Sequence, residues 1–356
     1  VSSYMPFEKL GSLSTLEDRF FSVYANAAYT YDNRYSVTVS FRTDASNFQA
    51  ESVRDKFSPF WSFGASWLIS NEQFMEQETW VDQLKLRVSY GLAGIAAGKS
   101  GTSSVTTVEV HPGSLIYSGG ESFNKIAERG NNTLTWEKSR TLNIGADVAF
   151  FGHKLSGSVE FYNKFSYDVL ANTTVPVISQ GVESMKLNNA EIVNRGVEFS
   201  ISSNLPVVGD LSWNGTLNYS YNHNELKKFG YTGPYMAVGN SYVEGRPIGS
   251  YTVLKPAGYS PEGYVMLEGK DGSLETIMDY YSGHVMDFVT PQDGQTADDN
   301  NWAYYLGTTE PKSTLSFSNM FTWKGVTFSF MLTGQFGYYV MTDYYDSFSL
   351  NTNNLA

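Results

Sequence analysis

The residues able to do chemistry are few and scattered. The four histidines, His111, His153, His223 and His284, stand apart from one another. No HExxH or similar spacing sets two of them on one helix face, so a zinc centre has no frame. Cysteine is absent, which removes disulfides, thiolate metal sites and cysteine nucleophiles. A serine nucleophile would need a GxSxG elbow. The nearest segment, Gly258-Tyr259-Ser260-Pro261-Glu262-Gly263, has the wrong spacing. Gly94 to Ser100 approaches a phosphate loop, but Ala93 stands where glycine is required and no strand-then-helix pattern surrounds it. A flexible loop is the better account of that stretch. Asp298-Asp299-Asn300-Asn301 offers hard oxygens suited to calcium, yet not in EF-hand order, and a solvated acidic loop explains it more simply. The sequons at Asn172 and Asn214 carry meaning only in a glycosylating secretory pathway. No catalytic residue, metal ligand or cofactor is expected.

What remains is aromatic. The stretch 224–312 holds Tyr231, Tyr235, Tyr242, Tyr280, Tyr281, Trp302, Tyr304 and Tyr305. Such rings stack on sugar faces or pack against peptide side chains, while nearby Asp and Asn bond hydroxyls. They would equally well pack a loop against itself or against a capping partner. Trp302, Tyr304 and Tyr305, beside the Asp/Asn cluster, are the candidate substrate-binding residues.

The rest of the chain must position that loop. Of 356 residues, 15% are aromatic and 17% charged, against an average charged share of about 25%. A disordered chain lacks aromatics and carries more charge. The net charge of -12 comes without clustered Lys and Arg, so nucleic acid is not a partner. No stretch reaches the roughly 18 apolar residues of a spanning helix. Val1-Ser2-Ser3 opens with neither a basic n-region nor an apolar h-region, so an exported chain would start here at a mature or internal position.

The recurring pattern is alternation with a period of two. Phe21, Val23, Ala25, Ala27, Tyr29 and Tyr31 share one face, and after Asp32-Asn33 the chain returns as Tyr35, Val37, Val39 and Phe41. Comparable runs start at Trp61, Leu84, Leu142, Leu155, Val197, Leu211, Leu315 and Val326, giving about ten strands, each close to the length that crosses a bilayer. A further pair is expected at Ser250–Lys255 and Tyr259–Leu267. The apolar faces of these runs carry no charge, whereas Arg34, Arg42, Lys85, Arg87, Asp147, Glu160 and Glu198 lie opposite among Ser, Thr and Asn. A water-soluble sandwich would show the same alternation with the faces reversed. The connections decide between them. Short turns at 32–33, 151–153, 206–209 and 324–325 swap with long links at 45–56, 92–133, 166–190 and 224–312, and only the 69–82 link on the short side is not tight. Short turns on one side and long loops on the other mark an outer-membrane barrel. Tyr29, Tyr31, Tyr35, Phe150, Phe151 and Trp323 gather near the short turns, where an interfacial girdle belongs.

Six segments carry a family likeness: FWSFGASWLISNEQF from Phe60, LKLRVSYGLAG from Leu84, LTWEKSRTLNIG from Leu134, LSGSVEFYNK from Leu155, NRGVEF from Asn194 and PIGSY from Pro247. In this order, over nearly the whole chain, they resemble the second half of the barrel in TonB-dependent outer-membrane transporters of the SusC/RagA type. The resemblance implies a barrel of about 22 strands with a plugged lumen, and a SusD-like lipoprotein over the extracellular mouth. It also implies import of glycans or peptides driven by the TonB complex. No plug or TonB box is recognisable, and the acidic repeat often found after the PIGS motif is reduced to Lys270-Asp271-Gly272-Ser273. The expectation is therefore an all-β chain, an antiparallel transmembrane β-barrel present in part, with about ten to twelve strands of a larger barrel. Residues 1–19 lead in, 20–338 form the barrel segment, and 339–356 begin a further loop. The expected setting is the bacterial outer membrane, with surrounding lipid, the lipoprotein and the substrate as partners. The competing expectation is a secreted or surface-exposed all-β binding or adhesion module without transport.

Overall fold

The structure is a computed structural model that describes residues 19–46, 57–96, 106–111, 123–131, 133–175, 178, 181–182, 184–229, 239–283 and 301–340. The strands, in chain order, begin with β1 (Phe20–Tyr31), β2 (Tyr35–Ser46), β3 (Ser58–Leu68), β4 (Val81–Ile95), β5 (Thr107–His111) and β6 (Phe123–Glu128). They continue with β7 (Glu137–Phe150), β8 (Leu155–Thr174), β9 (Ser184–Val208), β10 (Leu211–Lys228), β11 (Gly239–Ser241) and β12 (Ser250–Val253). The last are β13 (Lys255–Tyr259), β14 (Val265–Glu268), β15 (Leu274–Thr276), β16 (Tyr304–Thr308), β17 (Ser313–Trp323) and β18 (Val326–Phe336); one short helix, α1, covers Ile277–Gly283.

Ten of these strands form one sheet in the order β1-β2-β3-β4-β7-β8-β9-β10-β17-β18. Every neighbouring pair is antiparallel, so the sheet is an uninterrupted meander. The register aligns the apolar faces strand by strand. One row runs Tyr31–Tyr35–Trp67–Leu86–Ala146–Val159–Phe199–Tyr219–Leu315–Gly334 across all ten strands without a charge. Its counterpart on the other face runs Thr30–Ser36–Ser66–Arg87–Gly145–Glu160–Glu198–Ser220–Thr314–Gln335, with no large apolar residue. A one-residue slip would carry polar residues, and in β2, β4 and β7 to β10 charges, onto the apolar face, so each hairpin fixes the next. Among the described residues nothing covers the apolar face: Phe328 is 63% and Leu332 60% exposed.

The tight turns are where the sequence puts them. Asp32 and Asn33 both take positive φ (51° and 52°), as do Lys324 (46°) and Gly325 (85°), the backbone that matches the twist of paired strands. Several link boundaries differ. The expected loop at 166–190 is mostly strand, since β8 runs on to Thr174 and β9 starts at Ser184. A bulge after Ser166, with Asp168 at φ 55°, breaks the two-residue phase there, so alternation stops while pairing does not. The remaining link of 175–183 is shorter than 69–80 at the opposite end, and link length does not separate the two ends at that point. The link at 206–209 narrows to 209–210. The 92–133 link contains the end of β4 and the β5–β6 hairpin.

The link 69–80 is compact because it is tied down. It makes 3-10 turns at Ile69–Asn71 and Gln73–Met75. Glu72 accepts hydrogen bonds from Tyr35 Oη at 2.5 Å, Trp67 Nε1 at 2.9 Å and Arg34 Nη1 at 3.1 Å. Those contacts, led by the Tyr35 hydroxyl, hold its carboxyl below the usual range.

Strands β12 to β14, expected as a further barrel pair, lie outside the large sheet. They build two three-stranded sheets, β11-β12-β16 and β13-β14-β15. Their strands of three to five residues are too short to cross a bilayer, which takes about 9–11 residues.

Candidate functional site

The small sheets and α1 form a module with its own core. Leu267, Tyr280, Trp302 and Ala303 are buried together, with Leu254, Val265 and Ile277 against them. Tyr280 is fully buried, and its ring meets the Trp302 indole edge-on at 5.6 Å. Aromatic pairs in this geometry contribute about 0.5–1.5 kcal/mol beyond area burial.

The module is fastened to the polar face of the large sheet at the end carrying the 229–312 link. Asn224 and Leu226 alternate in phase with Ser220, so they belong to that face. The Leu226 amide donates to the Arg246 carbonyl at 2.9 Å, the Gly245 amide to the Leu226 carbonyl at 2.8 Å, and the Ile248 amide to Asn224 Oδ1 at 2.7 Å. On the far side the Thr309 amide donates to the Gly249 carbonyl at 3.0 Å. Gly249 has φ 76°, and a β-carbon there would lie 2.8 Å from Thr309 Oγ1, so the sharp turn of the PIGSY segment depends on glycine. A polar ladder continues down the wall. Asn194 Oδ1 accepts from Asn224 at 2.8 Å and from Asn222 at 3.4 Å, and Tyr162 Oη donates to Asn222 Oδ1 at 3.0 Å.

The three candidate residues divide within this module. Trp302 is 5% exposed and belongs to the core. Tyr304 is half-buried, with Lys255 Nζ 5.8 Å from its ring centroid. Tyr305 is 39% exposed and covers Arg246, whose guanidinium carbon lies 4.5 Å from the ring centroid. Arg246 is 7% exposed and donates to Thr252 Oγ1 at 3.4 Å, and burial pushes its pKa down. Tyr304 and Tyr305 follow each other on β16, so their side chains leave on opposite faces. The sequence reading passed over Arg246 and Asn224. Arg246 directly precedes the PIGSY segment and was legible there as a charge beside a sharp turn. Asn224 carried no such signal.

The remaining motifs serve structure. Asp271 accepts from the Ser273 amide at 2.9 Å, Ser273 Oγ at 2.6 Å and Asn301 Nδ2 at 2.8 Å. These donors, Ser273 first, hold its pKa at about 2. Oδ1 is thus occupied by protein donors, and Asn301 is spent on the same turn; Asp298, Asp299 and Asn300 lie outside the described residues, as do Tyr231, Tyr235 and His284. Gly94 sits in β4, where a β-carbon would lie 2.2 Å from the Phe60 ring. Phe60 in turn meets Trp136 edge-on at 5.5 Å. Close packing accounts for that glycine; residues 97–100 of the loop-like stretch lie outside the described set. Ser260 closes a turn, accepting from the Gly263 amide at 2.9 Å. Among the described residues no group of three or more His, Asp or Glu could hold a metal.

On the polar wall, Arg87 bridges Asp147 (3.3 Å) and Glu160 (2.7 Å), and beside it Ser158, Ser200, Asn218, Ser220 and Thr314 line a shallow depression. The site therefore consists of a hydroxyl- and amide-rich wall with an aromatic module fixed at one end.

Comparison with known proteins places this arrangement. Residues 3–355 match the family described as TonB dependent receptor-like, beta-barrel. The chain is 26% identical over 353 residues to TonB-dependent receptor P39 of Formosa agariphila, covering 91% of this chain and 33% of that protein. It is 24% identical over 339 residues to TonB-dependent receptor SusC of Bacteroides thetaiotaomicron, covering 93% and 32%. Among solved structures, the RagAB peptide importer in its open-open state superposes with TM-score 0.70 at 22% identity, over 94% of this chain and 35% of that one. The chain thus spans about a third of the length of the curated relatives it matches.

Proposed function

The chain belongs to the TonB-dependent receptor-like β-barrel family, and on that premise we propose that it forms part of the wall and mouth of an outer-membrane importer of the SusC/RagA type. The observation that carries this reading is the pair of rows crossing all ten strands. One is uncharged and uncovered, the other polar. Lipid is the solvent for the first and the water-filled lumen for the second. A secreted adhesion module would not leave so much apolar sheet bare.

In this reading the end bearing the 229–312 link faces the cell exterior. The module there contacts a glycan or an oligopeptide entering the lumen, and a SusD-like lipoprotein closes over it. Energy comes from the TonB complex acting on a plug supplied by the whole protein. Tyr305 is the contact ring, Tyr304 backs it from the other face of β16, and Trp302 holds the module rigid. Uptake tests the proposal. Cells producing the whole protein should accumulate a labelled oligosaccharide or oligopeptide pool, and cells lacking either the gene or TonB should not. Equal accumulation in all three strains would remove the transport reading.

A further inference from the structure

The apolar face ends in a basic border on β7, β8 and β9, toward the end that carries the 229–312 link. The last uncharged row there is Ile144–Phe161–Val197–Tyr221. The next is Leu142–Asn163–Arg195–His223, followed by Arg140–Phe165–Val193–Glu225 and then by Lys138 opposite Tyr167. No register shift intervenes, so these side chains share the face of Ile144 and Phe161.

The charges in this border are unequally matched. Lys138 is held by Asp168 at 3.1 Å. Glu225 is taken by Lys227 at 2.5 Å, with His223 at 3.9 Å and Arg195 facing it at longer range. Arg140 and Arg195 are both exposed, and among the described residues neither has a carboxylate within 4.0 Å. Arg140 is nonetheless oriented: its guanidinium carbon lies 4.8 Å from the Tyr167 ring centroid, and Phe165 stacks on that ring at 5.8 Å. Arg195 stands two strands away and one row nearer the apolar belt, about 10 Å across two strand spacings. Two long side chains can close that gap around one anion.

We propose that Arg140 and Arg195 bind the phosphate of an anionic lipid headgroup in the outer leaflet. The inference rests on the membrane reading above. Guanidinium groups bind phosphate oxygens in paired hydrogen bonds and give up hydration more readily than ammonium groups. The apolar rows directly below offer the acyl chains a surface, so one ligand satisfies both halves of the site. A lumenal substrate cannot reach this face. Two exposed arginines also run against the character of a chain with net charge -12, and basic residues at a membrane edge attract anionic lipid.

Native mass spectrometry of the whole protein, extracted from outer membranes and delipidated in detergent, tests this. The probes are dimyristoyl phosphatidylglycerol and dimyristoyl phosphatidylcholine, which share their chains and differ in headgroup charge. The wild type should carry about five-fold more adducts of the anionic lipid, R140Q/R195Q should fall to near parity, and R140K/R195K should lie between the two. Heat-dependent gel mobility reports that each barrel is folded. Should the double variant not assemble, the single variants R140Q and R195Q must each lower the preference. Parity in the wild type, or an undiminished preference in the glutamine variants, would overturn the site. Failure of the membrane reading shows separately, as folded whole protein recovered without detergent.

Discussion

At the scale of single residues, the neighbouring Trp302, Tyr304 and Tyr305 separate by burial into different roles. Trp302 packs on Tyr280, so Trp302→Ala should destabilise the loop module by about 3–5 kcal/mol, read as faster amide exchange at 265–276. Tyr305→Ala leaves that core intact. It should weaken substrate uptake several-fold with unchanged barrel assembly, measured as the concentration dependence of uptake. Asp271 gives a pH signature. Its folded pKa of about 2 lies below the 3.8 of an ordinary aspartate, so the 269–273 turn gains from ionisation above pH 4 and loses that gain as pH falls toward 2. Amide protection at Ser273 should persist at pH 4 and decay below pH 3, whereas Asp271→Asn should remove the decay. None of this was legible from spacing alone. The sequence marks aromatic residues beside an Asp/Asn cluster, but burial depends on partners such as Leu267 and Tyr280, which lie 20 to 40 positions away.

At the scale of elements, what the sequence displays depends on how far the two-residue phase survives. The ten long strands were readable because apolar and polar residues alternate through them. The outer parts of β8 and β9 were not, because the bulge after Ser166 shifts the phase and the segments beyond it mix apolar and polar residues without alternation. Strands β12 to β14 were misplaced for another reason: four to five residues carry too little periodicity to tell a barrel strand from a loop hairpin. The anchor of that module rests on few bonds. Asn224→Ala removes the acceptor for the Ile248 amide, a loss of about 1–3 kcal/mol for a group left unsatisfied. Proteolysis near 242–250 should quicken while the strands stay protected. On the opposite face, Ala146→Arg puts a charge in the middle of the apolar stretch 142–150 of β7, at a cost of about 2–4 kcal/mol in lipid. That variant should assemble poorly in membranes, judged by its yield of heat-modifiable barrel.

At the scale of the molecule, the sheet is half of an argument that only closure completes. β1 and β18 are its outer strands, and an open edge in lipid leaves backbone donors and acceptors without partners. Coverage of about a third of the related receptors fits a wall section whose edges pair with further strands of the whole protein. The central claim is that lipid covers one face and water the other. This section of the wall has no cysteine, so a cysteine introduced for a spin label is the only one within it. The decisive measurement is the accessibility of labels at 158, 159, 160 and 161 in the membrane-embedded whole protein, toward oxygen and toward a water-soluble nickel chelate. The account predicts oxygen access at Val159 and Phe161 and nickel access at Ser158 and Glu160, alternating residue by residue. Equal nickel access at all four positions would contradict it.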